Sequence, residues 1–386
     1  MHLSSHKVVA WLAALAMGGA LSAPLVAKPF LPTDDQQILA QLPAGSRHAD
    51  VTARRLAVDR LDVTVLLAQF YIEQARASGD LRFLGYAEAV LAPWVAKPDA
   101  VPAALVLQAT LQQSRHEFAA ALATLDRSLL ARPDDPQAWL TRATVLRVLG
   151  RYPEARDACA KFALHTDANL SAICAQGIDA LAGHLASAYQ TLTKVPTDGM
   201  MNPERAWRLS ELGEMAVRLG READAEQNFR EALALNPRDF YVRAAYADLL
   251  LREQRDPEVL ALLKGEESIE PLLLRLAIAQ KHTNNPDFPR SREALRAAFT
   301  AEADRGEAVH QREQARFLLE IEARPRDALT AALANWAVQR EPDDALVLIE
   351  AAQAAGDLRE ASPALDFAKA LGLSDVRLDH AARVRT

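Results

Sequence analysis

Through most of the chain, apolar residues return every three to four positions, and short polar breaks separate the runs. That spacing gathers apolar side chains on one face of a helix and argues against strands, whose faces alternate every second residue. The run from Glu211 to Pro237, ELGEMAVRLGREADAEQNFREALALNP, shows the pattern most clearly. Two apolar-periodic stretches flank a break at Gly220, and small residues stand at Gly213, Ala225 and Ala232. The small residues recur. Ala109, Ala143, Gly177, Gly213 and Ala247 follow one another at steps of 34, 34, 36 and 34. Ala121, Ala155 and Ala225 form a second series in the same phase, with one degenerate unit between. Pro133, Pro237 and Pro342 each follow an apolar-periodic helix and read as the close of a unit. A fixed period of this size means a stacked array of helix–turn–helix units.

At these positions the chain resembles the tetratricopeptide repeat (TPR) family. The stretch quoted above matches the family pattern at Leu209, Leu212, Gly213, Gly220, Ala225, Phe229, Ala232, Leu233 and Pro237. The unit from Pro136 matches at Trp139, Ala143, Leu146, Gly150, Tyr152 and Ala155. The resemblance implies an all-α fold, a right-handed superhelical solenoid of stacked antiparallel helix pairs. The physics agrees with the pattern. Two helices approach closely only where side chains are small, so Gly213 and Ala225 mark the contact, with Leu212 and Phe229 beside it. Gly220 permits the tight turn, and each unit leaves an apolar side that only a neighbour covers.

Along the chain, residues 1–27 read as a signal peptide and 28–60 as a lead segment. Within the lead, KPFLPTDD is extended and Asp34 or Asp35 caps a short helix through QQILAQL. Residues 61–371 form the array, about eight helix pairs, and 372–386 a C-terminal capping helix or tail. Loops at 195–203 and 281–290 interrupt the array.

Composition sharpens this picture in two places. Half of the residues are hydrophobic and only 6% are aromatic, which favours Ala- and Leu-rich helices. Net charge is −7 with acids and bases interspersed, so no basic stripe offers itself to a nucleic acid. The N-terminus adds a destination. MHLSSHK precedes the 16-residue apolar run VVAWLAALAMGGALSA, and small residues follow at Ala20, Ser22, Ala23 and Ala27. This is the layout of a secretory signal, with cleavage expected after Ala27. The run is short for a bilayer span, so no stable membrane insertion is expected after cleavage. The mature protein is then expected to be exported, and periplasmic in a Gram-negative host.

Candidate chemistry is sparse. HExxH, GxSxG, GxxxxGK[ST] and CxxC are all absent. Asp134-Asp135 and Asp343-Asp344 follow prolines, where carboxylates cap the next helix. Trp94, Trp139, Trp207 and Trp336 read as packing residues. Cys159, His165, Cys174 and His184 are metal-ligand types, but their spacing lacks the tight pairs zinc favours. The two cysteines can instead be small core residues. They can also form a disulfide between the second helix of one unit and the first helix of the next, worth about 3 kcal/mol.

The TPR resemblance puts ligand-facing residues on first helices: Thr110, Gln113, Leu140, Thr144, Arg147, Glu214, Asp248 and Arg252. The Lys/Asn/Arg carboxylate clamp of the chaperone-binding members is absent, with Leu140 and Thr144 in one candidate unit and Ser210 and Glu214 in another. The leading expectation is an exported, non-enzymatic scaffold without cofactor or metal, binding a protein or peptide partner in its concave groove for assembly or maturation of an envelope or exported complex. Two alternatives remain: a metal- or redox-linked periplasmic protein using the Cys/His set, or a non-catalytic subunit of an enzyme. Oligomeric state is left open.

Overall fold

Runs of three- to four-residue periodicity broken every 34 residues dictate short helices that double back. A computed structural model of the chain is built of such pairs. It describes residues 60–97, 99–304 and 310–383. The expected signal segment and all but the last residue of the lead, with its anticipated Asp34/Asp35 cap, lie outside the described residues. Among the described residues the fold is all-α, with no strand.

The first four pairs are α1 (Leu61–Ser78) with α2 (Arg82–Val95), α3 (Pro102–Ser114) with α4 (Phe118–Ala131), α5 (Pro136–Val148) with α6 (Tyr152–Ala163), and α7 (Ala168–Asp179) with α8 (Leu185–Thr193). Next come α9 (Asn202–Arg218) with α10 (Glu222–Leu235), α11 (Phe240–Arg252) with α12 (Asp256–Leu262), and α13 (Glu270–His282) with α14 (Phe288–Asp304). The last pairs are α15 (Gln311–Arg316), which continues as a π-helical turn over Phe317–Ile321, with α16 (Pro325–Val338), and α17 (Pro342–Ala355) with α18 (Ser362–Leu371). A final helix, α19 (Val376–Arg383), packs on α17. Among the described residues, no helix is long and apolar enough to cross a membrane.

The sequence signals act as their chemistry requires. Asp135, Asp167 and Asp239 each precede a first helix and accept hydrogen bonds from its first-turn N–H groups. Gly220 adopts the left-handed φ of +69° that ends α9. Pro342 departs from expectation: it opens α17 at its first position, where its missing N–H costs nothing, instead of closing α16. The recurrent small residues Ala109, Ala143, Gly177, Gly213 and Ala247 are all buried. At Gly213 an added Cβ would lie 2.6 Å from Phe229 Cδ1, so the partner ring occupies the space a side chain would need. Trp336 is buried and sits edge-on to Phe367, whereas Trp94, Trp139 and Trp207 are half-buried; Trp139 donates its ring N–H to Pro133 O at 2.8 Å.

Cys159 on α6 and Cys174 on α7 are joined by a disulfide across 15 residues, with Cα atoms 5.7 Å apart. Both are buried, so neither thiol is available as a metal ligand, and His165 and His184 are exposed. The Cys/His metal set is therefore not assembled.

A second departure concerns the C-terminal end. Instead of capping an open array, residues 338–376 fold across its middle. The Arg340 N–H donates to Val148 O at 2.8 Å, and the Tyr152 hydroxyl donates to Arg340 O at 3.0 Å. Phe367 lies edge-on to Tyr152, centroids 5.9 Å apart, and seats against Gly150. The Gly183 backbone meets Leu371 and Gly372, and Val376 at the start of α19 meets Gly220. The physical reason is the apolar side that the α17–α18 unit would otherwise expose. Phe367, Leu371 and Leu373 cover it against the α3–α7 core.

Two glycines test the register. Gly213→Leu should lower stability by about 1–3 kcal/mol, because the Phe229 ring must shift. Gly85 lies inside α2 with nothing within 4 Å of an added Cβ, so Gly85→Ala should raise stability by about 0.5–1 kcal/mol. Denaturant melts of both variants check the contrast; equal shifts of one sign would contradict the packing.

Candidate binding cavity

Because the chain returns on its middle, the inner face of the array bounds a cavity of about 820 Å3. Its wall draws on the α1–α2 turn, on α9, α11, α13 and α14, and on the starts of α15, α17 and α19. Part of the wall is apolar: Ala294, Ala298 and Ala301 line it from one face of α14, and Leu81, Leu84 and Phe240 add to it. The rest is ionic. Burying a charge costs several kcal/mol unless an opposite charge and hydrogen bonds compensate, so the pairing of each group decides what it can still bind.

Arg147 sits among three carboxylates, with Nη1 2.6 Å from Glu211, Nη2 3.1 Å from Glu214 and Nε 3.6 Å from Glu341. Burial opposes its charge, but the three carboxylates outweigh that and raise its pKa well above the ordinary value. Three acids around one base leave an excess of negative charge. Burial first, and then the neighbouring carboxylates, push Glu214 up to about 7, although Arg147 pulls the other way. Glu341 is raised for the same reason.

Asp248 is held by Arg275 at 2.6 Å and Arg316 at 2.8 Å, and these overcome its burial and keep its pKa low. Arg377 bridges Asp343 and Asp375, both at 2.7 Å, and Arg312 lies 3.4 Å from Asp344. Asp344 also caps α17, accepting from the Glu341 N–H at 2.8 Å. A further group joins His310 to Glu302 at 2.7 Å and to Glu270 at 3.2 Å. Burial works against a charged His310, but the two carboxylates prevail and raise it to about 10. His116, in the same wall, is pushed down to about 4 by burial and then by His310 and Arg312.

The residues expected to face a ligand divide into three sets. Thr110 and Thr144 bond back to Val106 O and Leu140 O of their own helices, and Leu140 packs on the core. Arg147, Glu214 and Asp248 do line the cavity, but each is engaged by internal ion pairs. A Lys at position 214 would set a second cation beside Arg147, so charge reversal there disturbs the fold before it tests binding. Gln113 and Arg252 line the cavity, and Arg252 has no ion-pair partner among the described residues. Its side chain is exposed to the cavity, and the surrounding protein followed by Arg377 lowers its pKa. Arg76 is a second such cation, lowered by burial. Arg275, Glu270, Glu302, His310, Arg312, Glu341 and Arg377 were not anticipated. One signal existed for Arg275, a charge inside the apolar run PLLLRLAIA.

No protein-family model matches the chain, and no curated protein matches it. Among solved structures it is similar to a tetratricopeptide repeat protein from Parabacteroides merdae at 17% identity, covering 60% of this chain and 93% of that one with a TM-score of 0.38. It is similar to the human IFIT1 dimer with PPP-AAAA at 12% identity, covering 83% and 93% with a TM-score of 0.46. A structure for Pseudomonas aeruginosa pilF matches at 16% identity, covering 69% and 99% with a TM-score of 0.31.

The Arg147 cluster has a pH signature. Glu214 titrates near 7 in the fold against an ordinary value of 4.5. The folded chain therefore holds a proton that the unfolded chain has released. The stability this group contributes is fully present below about 4.5 and is lost as pH rises through 7, roughly 1–3 kcal/mol in all. Glu214→Gln should remove that share of the pH dependence without lowering the melting temperature at about pH 8. Thermal melts from about pH 5 to 8 check this; a variant with the wild-type slope would refute it.

Proposed function

We propose that this protein is a non-enzymatic helical-repeat scaffold that takes an extended peptide segment of a partner protein into its central cavity. The observation that carries the reading is the lining. An alanine face on α14 together with Leu81 and Leu84 makes part of the wall apolar, while Arg76 and Arg252 stand without ion-pair partners among the described residues. A peptide presents the matching mixture: apolar side chains along its length and carbonyl or carboxylate oxygens for the two guanidinium groups. The cavity volume of about 820 Å3 falls within the range of ligand sites. The carboxylates at Glu214 and Asp248 add charge pattern to the wall rather than free contacts, because their arginines already hold them.

We further propose that the chain acts outside the cytoplasm, in assembly or maturation of an envelope or exported complex. The apolar run before Ala27 supports export. The Cys159–Cys174 disulfide supports an oxidising compartment.

Site-specific photo-crosslinking tests the binding site. A photoreactive residue at Leu81 or Ala298, inside the cavity, should capture one and the same partner. The same residue at Leu130 or Leu164, which are 88% and 70% exposed outside it, should not. Adducts from Leu130 or Leu164 alone would move the site off the cavity.

Export has its own check. N-terminal sequencing of the secreted fraction should find Lys28, and a non-reducing digest should contain the Cys159 and Cys174 peptides linked. An intact Met1 or two alkylatable thiols in that fraction would overturn the assignment.

A further inference from the structure

Many ionic groups of the cavity wall satisfy one another, but the group around His310 does not. His310 Nδ1 is 2.7 Å from Glu302 Oε1 and 3.2 Å from Glu270 Oε1. A single N–H cannot point at both carboxylates. It serves Glu302, and Glu270 Oε1 is left buried without a hydrogen bond. Nearby in the wall, His116 Nδ1 is likewise buried without a partner. An unsatisfied carboxylate oxygen in such a place forfeits its solvation with nothing in return. A divalent cation removes the conflict, because it accepts an imidazole nitrogen and two carboxylate oxygens at once.

We infer that Glu270, Glu302 and His310 form a binding site for a divalent first-row transition-metal ion, with zinc the best fit. The three donor atoms lie within 4.8 Å of one another. Tetrahedral zinc with nitrogen and oxygen ligands needs donors about 3.3 Å apart; the 3.2 Å between His310 and Glu270 matches, and the 2.7 Å hydrogen bond to Glu302 would widen as the ion replaces its proton. The donor types also discriminate. Imidazole with carboxylates suits zinc and its neighbours, whereas calcium and magnesium call for oxygen shells. Three helices hold the donors: Glu270 in the first turn of α13, Glu302 near the end of α14, and His310 at the N-cap of α15. Two carboxylates balance the ion's charge, and Arg312, in the same cavity wall, is already matched by Glu313 and Asp344. Three protein ligands leave a coordination position open, and all three residues line the cavity. This site is independent of the peptide reading: zinc binding without a captured partner, or the reverse, leaves the other conclusion standing.

The test uses the full chain, stripped with a chelator and titrated with zinc against a chromophoric competitor. One ion per chain is expected, and Glu302→Gln and His310→Ala should each weaken binding by at least about tenfold. Glu267→Gln, a cavity carboxylate outside the cluster, should leave affinity unchanged, and excess magnesium should not displace zinc. Cobalt bound at the site should show visible absorption that both cluster variants abolish. Should His310→Ala fail to fold, Glu302→Gln, which keeps the side chain's shape, carries the comparison. Zinc binding that is absent, or equal in wild type and Glu302→Gln, would overturn the site.

Discussion

A guanidinium inside a helical array has to be met by carboxylates, and Arg147 sets the terms for the rest of the molecule. Its partners come from α9 and from the residue before α17, which are far apart in sequence. Removing one side of such a buried pair typically costs 3–5 kcal/mol, so the cluster fixes where the returning chain must lie. Arg312 and Arg377 repeat the arrangement between α15, α17 and α19. Apolar packing builds each helix pair; ionic matching decides how the end of the array meets its middle.

The architecture was legible where it is local. The recurring small residues mark close contacts between paired helices, and Phe229 fills the space that Gly213 leaves. Capping aspartates and turn glycines sit where the chain doubles back, since their chemistry acts over three or four residues. Pro342 misled because a proline serves equally well after one helix and at the first position of the next. Nine pairs stand among the described residues where the period suggested about eight.

The cavity was less legible, and the reason is sequence separation. Periodicity names the inner face of a helix but not what stands opposite it. Thr144 and Arg147 lie one turn apart on that face; one bonds to its own backbone and the other to three carboxylates. Glu270 and Glu302 are 32 residues apart and His310 is 8 further on, intervals that match no short motif. Such groups become visible only once packing brings the helices together. The cysteines are intermediate: adjacent units suggested proximity, and the choice among metal, core and cross-link needed coordinates.

The backbone bond from Arg340 to Val148 gives the chain an order of events. A stacked array can form progressively, each unit docking on the one before, because its contacts span few residues. The joint between positions 340 and 148 cannot form that way, since nearly two hundred residues must be in place first and loop-closure entropy must be overcome. In a chain that emerges N-terminus first, the early units fold with their inner faces open to solvent, and the enclosure exists only after the last two pairs arrive. Anything bound inside thus has two routes of entry: past a wall that loosens, or during synthesis, before the wall is finished.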